Sequence, residues 1–98
     1  MFRDIIGADD ALAMGLVNRV VQRDEIDAFV DDWAARLAAG PPIALSMTKR
    51  LLNRSFEQSF EQALDDESRT QAVNFSTQDT TEALLAFVEK REPRFEGR

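Results

Sequence analysis

Between residues 26 and 37 the apolar side chains fall at Ile26, Phe29, Val30, Trp33 and Leu37, with polar residues filling most of the gaps. Spacings of three and four place them on one stripe of a helix of about four turns that starts near Asp24. Gly40 closes this helix and Pro41-Pro42 opens the next, because proline suits the first helical turn and cannot continue a preceding helix. The boundary is the sharpest in the sequence. The helix that follows, over roughly 42 to 54, carries Ala44, Met47 and Leu51 on one line with Leu45 and Leu52 beside it.

Upstream, Asp9 and Asp10 suit the positive N-terminal end of a short helix over 8 to 14, with Gly7 before it. Gly15 supplies the left-handed position that ends it. "LVNRVV", residues 16 to 21, is rich in β-branched side chains and predicts a short extended segment. Downstream, "SFEQSFEQ", residues 55 to 62, offers two capping boxes, Ser55 with Gln58 and Ser59 with Gln62. Ser59 is the better cap, for a helix reaching about Thr77, since Phe60, Ala63, Leu64 and Glu67 continue the helical spacing. Asp79 with Glu82 reads as the acidic cap of a last helix that runs to about Arg91, where Pro93 drives its predecessor out of the helical region. Five helices joined by loops of ordinary length predict an all-α fold, with residues 1–98 as a single helical domain.

Charge narrows the partners. The 18 acidic residues exceed the 12 basic ones, giving a net charge of -6, so the average field repels phosphate backbones and anionic membrane surfaces. Nucleic acid and membrane are not expected partners, and any anion site must be local. Cysteine and histidine are both absent, which removes disulfides, thiolate nucleophiles, imidazole bases and nearly every transition-metal ligand set. No metal site is expected. "MFRDIIGADD" has no apolar core of signal-peptide length, and no run approaches the roughly 18 apolar residues of a membrane span. A cytoplasmic location is the expectation.

Candidate chemistry is sparse. Asp31-Asp32 and Asp65-Asp66-Glu67 are neighbours in sequence, but neighbours on a helix point about 100° apart, so they read as solvated faces rather than as a catalytic pair. Ser46 and Ser68 have no base at a telling spacing. Lys49, Arg50 and Arg54 line a helix after a sharp turn, as in a DNA-reading helix, yet the acidic balance and double-proline turn argue against that use. The closing stretch "AFVEKREPRFEGR", residues 86 to 98, says more. Ala83, Phe87 and Lys90 fall at spacings of four and three, bringing an aromatic ring and a cation to one side of the last helix. That pair suits a nucleotide-like ligand, the ring facing a base and the ammonium meeting a phosphate. The same residues also fit a core phenylalanine beside cations that complement the negative helix end.

Four stretches in order, "ADDALAMGLVNRVV" (8 to 21), "LAAGPPIALSMTKRLLN" (37 to 53), "SFEQALDDES" (59 to 68) and "AFVEKREPRFEGR" (86 to 98), resemble the C-terminal third of the crotonase superfamily, the enoyl-CoA hydratases and isomerases. The resemblance implies action on acyl-CoA thioesters as substrate, with no separate cofactor. It also implies an oxyanion hole of two backbone N–H groups and, in hydratases, a pair of glutamates, all in a larger N-terminal ββα-repeat region that this chain does not contain. No catalytic residue is therefore expected here, and the chain by itself is expected to show no hydratase activity. What remains is the part that covers the acyl-CoA and joins the contacts of a homo-oligomer, a trimer or hexamer in the family. Lys90 resembles the lysine that approaches the phosphate and adenosine end of CoA, and Phe87 the aromatic beside it. The alternatives are a free-standing helical interaction module and, more distantly, a small DNA-binding helical protein.

Overall fold

The computed structural model describes residues 5–98, so the first four residues of the "MFRDIIGADD" segment lie outside the described residues. Five helices follow in order: α1 (Ala8–Ala13), α2 (Ile26–Ala38), α3 (Pro42–Arg54), α4 (Phe60–Phe75) and α5 (Gln78–Glu89). The fold is all-α, as the periodicity predicts, and no strand occurs among the described residues. The chain divides into two compact units, Met1–Ala35 and Arg36–Arg98.

In the first unit α1 ends as its glycine predicts. Gly15 sits at φ 73, and the amides of Gly15 and Leu16 donate to the carbonyls of Leu12 and Ala11 at 3.0 and 2.8 Å, the paired bonds of a Schellman turn. The segment 16 to 21 makes no strand, because an extended piece needs a pairing partner that the described residues do not provide. In α2, Phe29 and Trp33 stack one turn apart at 5.0 Å, and the Arg19 guanidinium lies 5.9 Å from the Trp33 ring. The stripe of Ile26, Val30, Trp33 and Leu37 forms as predicted but stays exposed.

In the second unit the double proline acts as expected, with Pro41 at the N-cap of α3 and Pro42 in its first turn. Gly40 follows α2 without a left-handed turn, its amide donating to the Leu37 carbonyl at 3.1 Å, and a Cβ there would meet Leu45 Cδ1 at 2.9 Å. The two halves of "SFEQSFEQ" diverge. Ser59 forms the full capping box of α4, accepting from the Gln62 amide at 3.2 Å while Gln62 Oε1 accepts from the Ser59 amide at 3.0 Å. Ser55 instead closes α3, its hydroxyl donating to the Leu52 carbonyl at 2.8 Å.

One cap moves. The cap of α5 is Thr77, whose Oγ1 accepts from the Thr80 amide at 3.2 Å, while Asp79 lies inside the first turn. The α4–α5 turn needs Thr77 outside both helices, because the Asn74 carbonyl accepts from the Thr77 amide, the Thr77 hydroxyl and the Thr80 hydroxyl. That also stops α4 at Phe75, two residues short of the expected end. α3 packs on α4 and α4 on α5, with Arg54 and Asp66 paired at 3.1 Å between the first two. Ala86, 1% exposed, is the buried apolar residue among those described.

Candidate functional site

The C-terminal half of α5 and the chain that follows it hold the residues singled out from the sequence. α5 stops at Glu89, before the Arg91 that the sequence pattern suggested, because Lys90 turns left-handed at φ 54, ψ 42. Its amide donates to the Phe87 carbonyl at 3.3 Å and that of Arg91 to the Ala86 carbonyl at 3.0 Å, a second Schellman turn. Glycine is the usual residue at this position, and a side chain there costs about 1–2 kcal/mol. Among the described residues Lys90 is the one non-glycine with positive φ.

Phe87 is 83% exposed, so the core reading of this ring does not hold within the chain; Ala86 next to it takes the buried place. Lys90 is likewise exposed. The sequence pattern put Ala83, Phe87 and Lys90 on one helical side, whereas the structure keeps Ala83 and Phe87 in α5 and sets Lys90 at the turn beyond it.

Past Lys90 the chain reverses and runs back along α5. Arg91 grips Glu82 with both terminal nitrogens, Nη1 to Oε1 at 2.6 Å and Nη2 to Oε2 at 2.9 Å, and its Nε donates to Glu89 at 2.6 Å. The Arg94 amide adds a third donor to Glu82 at 2.8 Å. The Arg91 hydrogen bonds, and then the Arg94 amide, hold the Glu82 carboxyl down at about 2. Nearer the start of α5, Asp79, 5% exposed, accepts the amides of Glu96 and Gly97 at 2.8 and 2.9 Å. The Arg98 carbonyl accepts the helix-starting amides of Gln78 and Asp79 at 2.7 and 3.3 Å. A cleft of about 430 Å³ borders this strap, lined by residues that include Asp79, Glu82, Leu85 and Arg94 but neither Phe87 nor Lys90.

The strap is what sequence reasoning missed. Asp79 and Glu82 were legible as acids at a helix start, but their partners lie 9 to 18 residues on and no local spacing marks the pairing. The one available signal was Gly97, held at φ 75 with a Cβ site 2.8 Å from Pro42 Cγ.

The other candidates separate. Asp66 pairs with Arg54 and Arg69, Asp65 shares Arg69, and Glu67 accepts from Gln71, so every acid of that run has a partner and the three do not converge on one point. Ser46 donates back to the Ile43 carbonyl at 2.9 Å. Arg54, from the basic face of α3, is engaged by Asp66.

The description "Enoyl-CoA hydratase/isomerase" belongs to the family profile that matches residues 1–98. The chain is 37% identical over 86 residues to the short-chain-enoyl-CoA hydratase of Clostridium acetobutylicum, covering 88% of this chain and 33% of that protein. It is 35% identical over 92 residues to the crotonyl-CoA hydratase of Syntrophomonas wolfei, covering 94% and 35%. The crystal structure of an enoyl-CoA hydratase from Mycobacterium smegmatis superposes with a TM-score of 0.81 at 37% identity, over 92% of this chain and 35% of that one. The chain belongs to the enoyl-CoA hydratase/isomerase family, and it spans about a third of the length of these relatives.

Proposed function

We propose that this chain is the C-terminal helical part of an enoyl-CoA hydratase acting on acyl-CoA thioesters, where it covers the bound CoA and joins the contacts of a trimeric or hexameric homo-oligomer in the cytoplasm. It contributes no catalytic group; the chemistry belongs to the region that carries the oxyanion hole and glutamates implied by the family resemblance. Hydration is preferred to isomerisation because the relatives compared above are hydratases by name. Phe87 and Lys90 meet the nucleotide end of CoA, the ring against the adenine and the ammonium against a phosphate.

The observation that supports this reading is that the Phe87 ring, 83% exposed, and Lys90, exposed on the turn just past the helix end, are both left unused by the core of the chain. Lys90→Ala in the enzyme is expected to weaken CoA binding by roughly 1 to 3 kcal/mol, the range for a charge-assisted contact. Phe87→Ala is expected to lose affinity while leaving stability within about 0.5 kcal/mol, as for an exposed side chain. Calorimetric titration with CoA alongside thermal melts checks both. Unchanged affinity in Lys90→Ala would reduce this lysine to a helix-end charge.

A further inference from the structure

Lys90 adopts a backbone conformation that its own side chain disfavours, and such a conformation persists only where the surroundings impose it. Beyond the two backbone bonds of the turn, the surroundings converge on one carboxylate. Glu82 lies two turns back along α5, yet it receives the Arg91 fork at 2.6 and 2.9 Å and the Arg94 amide at 2.8 Å. The residue immediately after Lys90 and the start of the returning strap are thus tied to the same two oxygens. Asp79 and the first amides of α5 fasten the far end of the strap through Glu96, Gly97 and Arg98. Rotating Lys90 into a helical conformation would extend α5 and carry Arg91 away from Glu82, breaking the fork.

We infer that Glu82 is a positioning residue for ligand binding: by holding Arg91 and Arg94 it imposes the left-handed turn at Lys90, and so fixes the direction in which that side chain leaves the chain toward an anionic group of CoA. The role rests on Lys90 meeting CoA, as proposed above. Arg91 acts with it as the other half of the clamp. Neither residue touches the ligand in this scheme. A bidentate arginine–carboxylate pair suits such a task, because its planar fork fixes orientation as well as distance.

The test is a double-mutant cycle in the enzyme, with CoA as the calorimetric probe and crotonyl-CoA as substrate. Glu82→Gln keeps the shape and one acceptor but removes the charge, and is expected to weaken CoA roughly tenfold, comparable to Lys90→Ala. In the double variant the Glu82 effect is expected to vanish, since the lysine it orients is gone. The KM for crotonyl-CoA is expected to rise with kcat unchanged, the mark of a contact made equally in ground and transition states. Arg91→Lys, which retains charge but lacks the fork, is expected to reproduce the pattern and serves if Glu82→Gln does not fold. Additive losses in the double variant would overturn the positioning role, as would full CoA affinity in both Glu82→Gln and Arg91→Lys beside a weakened Lys90→Ala. Full affinity in Lys90→Ala itself would instead remove the CoA reading, and the positioning role with it.

Discussion

Two residues occupy the left-handed region near the C-terminus, and they do so on opposite terms. Gly97 at φ 75 has no side chain to strain, and a Cβ there would meet Pro42 Cγ at 2.8 Å. Lys90 at φ 54 has one, and bears the strain. Substitutions at the two sites should therefore move stability in opposite directions. Gly97→Ala is expected to destabilise by about 2 kcal/mol, from the left-handed penalty and the contact with Pro42. Lys90→Gly is expected to stabilise by up to about 1 kcal/mol, the relief of that penalty less the entropy that glycine gains when unfolded. Denaturant titration of both variants checks the pair. Two losses of similar size would mean that Lys90 is not strained, and that no clamp is needed to hold it.

At the scale of the helices, what was legible in the sequence is what local spacing can encode. The apolar three-and-four spacing, the double proline and the Ser59 box are all written within a few residues of the features they set, and α2, α3 and the start of α4 follow from them. The end of α5 and the strap were not legible, because Glu82 pairs with the Arg91 side chain nine residues on, beyond any helical spacing, and the remaining donors to Glu82 and Asp79 are backbone amides 12 to 18 residues away that carry no side-chain signature. The Phe87 and Lys90 pair was legible as chemistry, but its placement required knowing that α5 ends one residue before Lys90. The tandem repeat shows what context adds to an identical motif. Ser59→Ala is expected to cost about 1 kcal/mol through loss of the α4 cap, whereas Ser55→Ala, at an exposed helix end, should stay within about 0.5 kcal/mol. Equal losses would show that the capping box is not what starts α4. The strap carries a pH signature as well. Glu82 is held at about 2 against an ordinary 4.5, chiefly by Arg91 and then by the Arg94 amide. A carboxyl depressed on folding adds stability that is fully present above its unfolded value and is lost as pH falls toward its folded one. The advantage of the unmodified protein over Glu82→Gln should hold from pH 7 down to about 5, then shrink between about 4.5 and 2. Melts of the two proteins across that range decide it; a gap independent of pH would exclude the carboxylate charge as the source.

For the molecule as a whole, the balance between helix content and core is the fact to explain. Helices whose stripes are well formed ordinarily bury them, since isolated helices of this length are marginal in water and draw most of their stability from packing. Here Ile26, Val30 and Leu37 on α2, Phe60 and Leu64 on α4, and Leu84, Phe87 and Val88 on α5 are exposed, while Ala86 is the buried apolar residue among those described. Single exposed leucines need no explanation, but apolar residues grouped along one helix after another do. Net charge works the other way, since a chain at -6 repels its copies at long range. That repulsion is screened beyond about 8–10 Å at physiological salt, whereas each apolar side chain removed from water gains about 1.5–3 kcal/mol. At close range burial wins. The chain alone is therefore expected to self-associate at micromolar concentration, and more strongly as salt is raised. Sedimentation equilibrium at two ionic strengths checks both parts: a mass at or above that of a dimer, rising with salt, is the expected result. A clean single-chain mass at both would mean that these faces are stable in water as they stand, and would withdraw support from the reading of this chain as a covering and assembly region.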